Sequence, residues 1–193
     1  MADALKEKKR IYTFADYMTL PDDELWEILD GVPYNMAPPS LNHERVSGEL
    51  YYFFKHYLRG KTCEVFSAPF GVRFPKEDEP DEYVKDALMP DITVVCDKKK
   101  LDDRGCRGAP DLIVEILSPS TAKRDIKSKR QLYQNSGVKE YWIVDPLHKT
   151  LQVYKLDDQG KYGFPETYGE DDKIKVGIFN NELEIDLTTV FAY

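Results

Sequence analysis

A glutamate in the middle of an apolar run is the feature that most constrains this chain. The run from Leu112 to Leu117 is apolar except for Glu115. Residues of both parities in this run are apolar, which is typical of a central strand that is buried on both faces. A buried carboxylate is costly unless a partner or a cation binds it. The run therefore predicts the middle of a sheet and, at Glu115, a place where chemistry is expected.

Two Pro-Asp dipeptides open neighbouring apolar runs, at Asp91 before Ile92–Val95 and at Asp111 before the Glu115 run. If the two strands are neighbours, Asp91 and Glu115 can converge at one end of the sheet, where two carboxylates suit Mg²⁺ or Mn²⁺. Asp111 lies four residues before Glu115, roughly 13 Å along a strand, so we expect it to stabilise a turn instead. A glutamate at a strand end, paired with a surface lysine, remains the alternative for Glu115.

The segment after this run predicts a helix from about Thr121 to Ser136. At 100° per residue, one narrow stripe of that helix faces the sheet and comprises Ala122, Ile126, Lys129 and Tyr133.

Lys129 therefore lies among residues that must contact the sheet. It could form a structural ion pair with the enclosed glutamate, or it could position an attacking water and stabilise developing negative charge. An ordinary surface pair with Asp125, four residues earlier, is the third alternative.

The remaining sequence predicts strands mixed with two solid helices. Leu25–Leu29, Asp30-Gly31 and residues 33–37 are typical of a hairpin, and Ser40–Arg59 is typical of an amphipathic helix. Residues 75–89 and 97–109 lack periodicity and are interpreted as loops. We expect one α/β domain over residues 1–193, with a mixed central sheet.

Composition limits the classes of function. Of 193 residues, 41% are hydrophobic, the net charge is -8, and no apolar run is long enough for a membrane span. Cys63, Cys96 and Cys106 have no metal-like spacing, so we interpret them as reduced thiols of a cytoplasmic protein. The acidic balance argues against coating of nucleic acid, but it allows a local basic patch.

Such a patch is present in the predicted helix, where residues 123–130 contain five basic residues and one acid. Lys123, Lys127 and Arg130 share a face next to the inward stripe, where they could hold a phosphate backbone or simply remain solvated. His43, at the start of the first long helix, could bind phosphate in the cleft or serve as a packing histidine.

The densest motifs resemble the Uma2 (DUF820) family. They comprise Pro90-Asp91, residues 101–106, residues 109–121, Asp125, Lys129, Tyr133, Gly137-Val138 and residues 140–146. The likeness extends more loosely to residues 26–31 and to the helix containing His43. It implies a restriction endonuclease-like fold of the PD-(D/E)xK superfamily over residues 24–190, with a mixed central β-sheet flanked by helices and additional β-hairpins.

The resemblance also implies an activity, namely metal-dependent hydrolysis of phosphodiesters, with DNA as the expected substrate. Asp91 would be the motif aspartate and Glu115 the second acid. The motif lysine belongs two residues after the glutamate, where this chain has Leu117, and Lys129 from the following helix would replace it. Glu27 would complete the shell of a Mg²⁺ or Mn²⁺ ion.

The resemblance further implies a homodimer, because enzymes of this fold often cut two strands with two sites. The alternative is a catalytically inactive member of the same fold that binds nucleic acid or protein. The leucine at position 117 and the acidic net charge favour that alternative.

Overall fold

The computed structural model describes residues 10–21, 23–119 and 121–193. Residues 1–9, Asp22 and Ser120 lie outside the described part, so the prediction of one domain over residues 1–193 is not tested over its full length. Within the described residues, the fold is a mixed α/β architecture with two six-stranded sheets and few helices.

Each large sheet mixes parallel and antiparallel pairs. The central sheet has the order β12-β11-β10-β9-β6-β3, with β9 and β10 parallel, and the outer sheet has the order β2-β1-β5-β4-β8-β7, with β4 and β8 parallel. A further ribbon pairs β13 with β14. The strands are β1 (Trp26–Leu29), β2 (Val32–Asn35), β3 (Glu64–Ser67), β4 (Val72–Arg73), β5 (Ala87–Leu88), β6 (Ile92–Val95), β7 (Leu101–Asp102), β8 (Gly105–Arg107), β9 (Leu112–Ile116), β10 (Glu140–Asp145), β11 (Thr150–Lys155), β12 (Glu166–Tyr168), β13 (Lys173–Lys175) and β14 (Glu184–Asp186).

The helical segments cover the sheets. The α- and π-helical ones are α1 (Phe14–Tyr17), α2 (Leu41–Leu58), a π-helical turn (Arg124–Lys129) that continues into α3 (Arg130–Ser136), and α4 (Leu187–Val190), and 3₁₀ turns lie at Asp81–Tyr83, Lys98–Lys100 and Gly177–Phe179. The predicted first long helix is confirmed, with Ser40 as its N-cap accepting from the His43 amide. Its inward residues Val46, Leu50 and Phe54 pack on one face of the central sheet.

Strand β9 is buried on both faces, as its sequence predicts. Leu112, Val114 and Ile116 belong to the core beneath α2, whereas Ile113 faces the second core between the two sheets. Glu115 has the parity of Ile113, so its carboxylate enters the space between the sheets. The mixed central sheet is confirmed, and a second sheet of comparable strand number packs on the Glu115 side.

The two segments interpreted as loops carry much of the outer sheet, and that interpretation was wrong for parts of both. Residues 75–89 contain a 3₁₀ turn at Asp81–Tyr83 and strand β5, and residues 97–109 contain β7 and β8. The buried guanidinium of Arg73 stabilises both segments, because it pairs with Asp81 and with Asp102 at 2.5 Å each. Strands of two or three residues are too short to show a period of two.

The interpretation of all three cysteines as reduced thiols was also wrong. Cys63 and Cys96 form a disulfide, and Cys106 is free and buried. Continuing the register of β3 against β6 by one residue places Cys63 opposite Cys96, although 33 residues separate them in sequence. The expected cytoplasmic location loses the support of reduced thiols and stays a prediction.

Over the residues that the structure describes, no helix is both long enough and apolar enough to span a membrane.

Candidate active site

The ammonium of Lys129 lies at the centre of a buried ionic cluster. Its Nζ donates to Glu27 Oε1 at 3.0 Å and to Glu115 Oε1 and Oε2 at 3.0 and 3.1 Å. All three side chains are at most 5% exposed. Because Glu27 belongs to β1 of the outer sheet and Glu115 to β9 of the central sheet, the ammonium joins the two sheets at one point.

Additional donors fix the two glutamates. The Met89 amide donates to Glu27 Oε1 at 3.0 Å, and the Tyr133 hydroxyl donates to Glu115 Oε1 at 2.5 Å. Tyr133 is one helical turn after Lys129 and is fully buried. The same helix face thus supplies both donors to Glu115, in agreement with the predicted stripe, which contains both residues.

Asp91 lies beside this cluster at the start of β6. The register of β6 against β9 pairs Ile92 with Val114, so one further residue places Asp91 opposite Glu115 on the same face. The Ile116 amide donates to Asp91 Oδ2 at 2.6 Å, and His43 Nε2 lies 3.2 Å from Asp91 Oδ1. Asp91 and His43 are 14% and 12% exposed, so they connect the buried cluster to solvent.

Asp125 completes the cluster, although the predicted helix stripe excluded it. Its carboxylate Oδ1 lies 3.5 Å from Lys129 Nζ and the side chain is 2% exposed, whereas Ile126, predicted to face inward, is 46% exposed. The cause is the π-helical turn, which needs more residues per turn than an α-helix. The buried face of the helix therefore contains Asp125, four residues before Lys129, and not Ile126, three residues before it.

The pKa shifts follow from burial and from this charge arrangement. Burial raises the pKa of Glu115 well above its ordinary value, against the attraction of Lys129, and it also raises the pKa of Asp125. Burial alone would lower the pKa of Lys129, but Glu115, Glu27 and Asp125 outweigh it and the pKa is raised. Burial also acts to lower the pKa of His43, but the hydrogen bond and the charge of Asp91 outweigh burial and the pKa is raised.

The predicted metal ligands are not preformed as a three-carboxylate shell. Among residues 10–21, 23–119 and 121–193, no group of three or more histidine, cysteine, aspartate or glutamate side chains is arranged to hold a metal ion. The ammonium of Lys129 separates Glu27 from Glu115, and both oxygens of Asp91 face protein donors.

The donor set nevertheless fits a hard divalent cation in kind and in charge. Four carboxyl groups lie around one ammonium and one imidazole, so the acids outnumber the bases in this space. Asp125 Oδ1 is buried and has no hydrogen-bond partner within the described residues. Oxygen donors of this kind are those that Mg²⁺ and Mn²⁺ take.

Of the predicted substrate-binding residues, His43 lies beside Asp91 at the cluster, and the three basic residues of the helix lie outside it. Lys123 and Lys127 are exposed and Arg130 is half-buried, with its guanidinium 5.4 Å from the Tyr154 ring. Lys127 and Arg130 line a groove of about 1140 Å³ between the helix and the β1–β2 hairpin. The structure thus separates a sealed ionic centre from a partly basic surface groove.

The mixed α/β fold is that of a restriction endonuclease-like protein. The model of the Uma2 family, described as "Putative restriction endonuclease", matches residues 14–188, and the chain belongs to this family.

Individual proteins show the same likeness. The chain is 29% identical over 140 residues to the uncharacterized protein slr1290 of Synechocystis sp., covering 72% of this chain and 70% of that protein. The fold of this chain is similar to the crystal structure of a protein from Anabaena variabilis described as a putative nuclease of DUF820. That similarity has a TM-score of 0.74 at 20% identity and covers 93% of this chain and 97% of the other.

Proposed function

We propose that this protein is a metal-dependent endonuclease that hydrolyses phosphodiester bonds, with DNA as the substrate. The observation that carries the proposal is the Lys129 ammonium, buried and bonded to both Glu27 and Glu115 beside Asp91. An acid pair with a lysine at this place in the fold is the constellation that the family motif predicts. Position 117 is leucine, and Lys129 from the following helix would take the role of the motif lysine.

In this proposal, Asp91 and Glu115 hold a Mg²⁺ or Mn²⁺ ion, and Glu27 is the third carboxylate. A bound divalent cation supplies a lowered pKa for its water and offsets charge on the leaving oxygen. Lys129 orients the attacking water and stabilises negative charge at the phosphate, as a fixed ammonium in a site of low dielectric can do. Glu27 and Tyr133 position these groups through the bonds described above.

The helix side of the groove would hold a polyanionic substrate, because Lys127 and Arg130 line it there, whereas Asp30, Glu77 and Asp86 line other parts of the groove. The Arg124 guanidinium stacks over the Tyr34 ring at 4.2 Å on the facing hairpin. Lys123 extends the basic face along the same helix. These residues would hold phosphates without reading sequence. A homodimer, which would bring two such sites to a duplex, is part of the proposal.

A second candidate function is a catalytically inactive module that binds nucleic acid or protein. The observation that favours it is the closure of the cluster, since Glu27, Glu115, Asp125 and Lys129 are each at most 4% exposed. Such a closed cluster would serve as a structural ion network between the two sheets. Cleavage by purified protein distinguishes the two candidates.

The test compares two buried glutamates on adjacent strands. Glu115→Gln removes a proposed metal ligand on β9, and Glu140→Gln changes a glutamate of similar burial on β10 that bonds Trp142 and Ile178 instead. With supercoiled plasmid and Mg²⁺ or Mn²⁺, we expect nicking by the wild type and by Glu140→Gln, and none by Glu115→Gln. Chelation should abolish all cleavage. Equal cleavage by both variants would contradict the assignment of Glu115.

A further inference from the structure

We propose that Lys129 competes with the divalent cation for Glu27 and Glu115, and that Asp125 receives the ammonium when the cation binds. This inference rests on the proposed metal-dependent function and adds Asp125 as a positioning residue that acts through Lys129. Without the cation, the ammonium bonds both glutamates and compensates their charge. The cation binds when the Lys129 ammonium leaves Glu27 and Glu115.

The first support is the place of the ammonium. Its three hydrogen bonds use both oxygens of Glu115 and one oxygen of Glu27, which are the atoms that a bound cation needs. A cation and an ammonium cannot share these oxygens at bonding distance without strong repulsion between like charges. This explains why carboxylates of suitable chemistry do not form a ready three-ligand group in the described residues.

The second support is the unused oxygen of Asp125. Asp125 is 1% exposed, and its Oδ1 has no hydrogen-bond partner within the described residues although Lys129 Nζ is 3.5 Å away. A shift of the ammonium by about 0.5 Å toward Oδ1 would bring this pair into the normal range of an N–H···O bond, and release of Glu27 and Glu115 to the cation needs a larger movement in the same direction. Buried carboxylate oxygens are rarely left without a donor, so an acceptor beside a bonded ammonium points to a second position of that ammonium.

The third support is the helix geometry. Asp125 and Lys129 are the second and the last residue of the π-helical turn, which places both on the buried face. Tyr141 donates to the Asp125 carbonyl at 3.1 Å and holds the start of this turn in place. The ammonium can therefore move between fixed acceptors without a change in the backbone.

The test is a double-mutant cycle read by calorimetric titration with Mn²⁺ in the absence of DNA. The proteins are the wild type, Lys129→Met, Asp125→Asn and the double variant. Lys129→Met should bind Mn²⁺ about tenfold more tightly, because the competing charge is gone, and Asp125→Asn about tenfold more weakly, because the ammonium loses its second acceptor. The double variant should bind as tightly as Lys129→Met.

Several outcomes would overturn the proposal. Unchanged or weaker Mn²⁺ binding by Lys129→Met excludes competition. If Asp125→Asn weakens Mn²⁺ binding by the same factor in the wild type and in Lys129→Met, Asp125 is a direct ligand and not an acceptor for Lys129. If Lys129→Met does not fold, as judged by circular dichroism, Lys129→Gln keeps a polar side chain without the charge and replaces it in the cycle.

Failure of this exchange can be distinguished from failure of the proposed function. If the wild type binds Mn²⁺ and nicks DNA while the Lys129 variants bind no more tightly, the exchange is wrong and the nuclease assignment stands. If neither the wild type nor any variant binds Mn²⁺ at millimolar concentration, both proposals fail.

Discussion

Lys129 is the residue on which the ionic cluster depends. Lys129→Met leaves Glu27 and Glu115 buried without their shared cation, and breaking a buried pair in this way costs about 3–5 kcal/mol of unfolding free energy. We expect a decrease of that size in urea unfolding of metal-free protein. Lys149→Met is the matched control, because its pair with Glu170 is partly exposed and should change the stability by less than about 1 kcal/mol. Equal stability of the two variants would contradict a bonded cluster.

The same residues show what the sequence could and could not predict. The pleat of a strand was enough to place Glu115 on a buried face, and helical spacing was enough to place Lys129 and Tyr133 inward. Asp125 was considered only as part of an exposed pair. Its i,i+4 spacing to Lys129 was the available signal, but burial of that pair depends on contacts between segments distant in sequence.

At the scale of elements, the π-helical turn explains the one error in the predicted helix. An α-helical period applied to residues 121–136 predicts Ile126 inward, yet Ile126 is 46% exposed and Asp125 is buried. No local propensity distinguishes a π-helical turn from an α-helical one here. The tertiary bonds of Lys129 and the Tyr141 hydroxyl favour the wider turn, and they are not visible in sequence.

The N-cap of α2 should contribute to the stability of the fold. Ser40 accepts from the His43 amide at 3.2 Å, so Ser40→Ala leaves an amide of the first turn without its partner. The loss should be about 1 kcal/mol of unfolding free energy, as for other N-caps. Ser128→Ala, at an exposed helical position, is the control. A change for Ser40→Ala no larger than for Ser128→Ala would show that the cap does not contribute.

Glu140 joins the central sheet to the segment before β14 and gives a pH prediction. Its carboxylate accepts from the Trp142 indole and the Ile178 amide, and burial raises its pKa above the ordinary value of 4.5. The folded state therefore holds this proton more strongly than the unfolded state. The contribution of protonated Glu140 to stability is complete below the pKa of Glu140 in the unfolded chain. It is lost as the pH rises through the pKa of Glu140 in the folded state.

The measurement is urea unfolding of wild type and Glu140→Gln from pH 4.5 to 7. Since glutamine does not titrate, the stability of the wild type relative to the variant should fall as the pH rises over this range. A difference in unfolding free energy that stays constant would contradict a raised pKa for Glu140.

At the scale of the whole molecule, the disulfide gives a direct prediction. The chain has three cysteines, and with Cys63 bonded to Cys96 only Cys106 remains a thiol. Protein unfolded without reductant should react with one equivalent of a thiol reagent, and with three after reduction and removal of the reductant. Three equivalents before reduction would restore the original interpretation of reduced thiols.

The fold as a whole was more predictable than its second sheet. The long helix, the central strands and the β1–β2 hairpin have clear periods or turn signals, and the family motifs supply the architecture. The outer sheet assembles short strands around Arg73, Asp81 and Asp102, and such long-range ion pairs leave no periodic signal in the sequence.

DNA nicking by wild type, Lys129→Met and Lys149→Met in the presence of Mn²⁺ shows directly whether the Lys129 cluster is the active site. If the Lys129 cluster is the active site, the wild type and Lys149→Met nick supercoiled plasmid at equal rates. Lys129→Met should lose at least about 100-fold, as expected when a fixed charge that stabilises the transition state is removed. Nicking by folded Lys129→Met at the wild-type rate would show that the Lys129 ammonium has no part in cleavage.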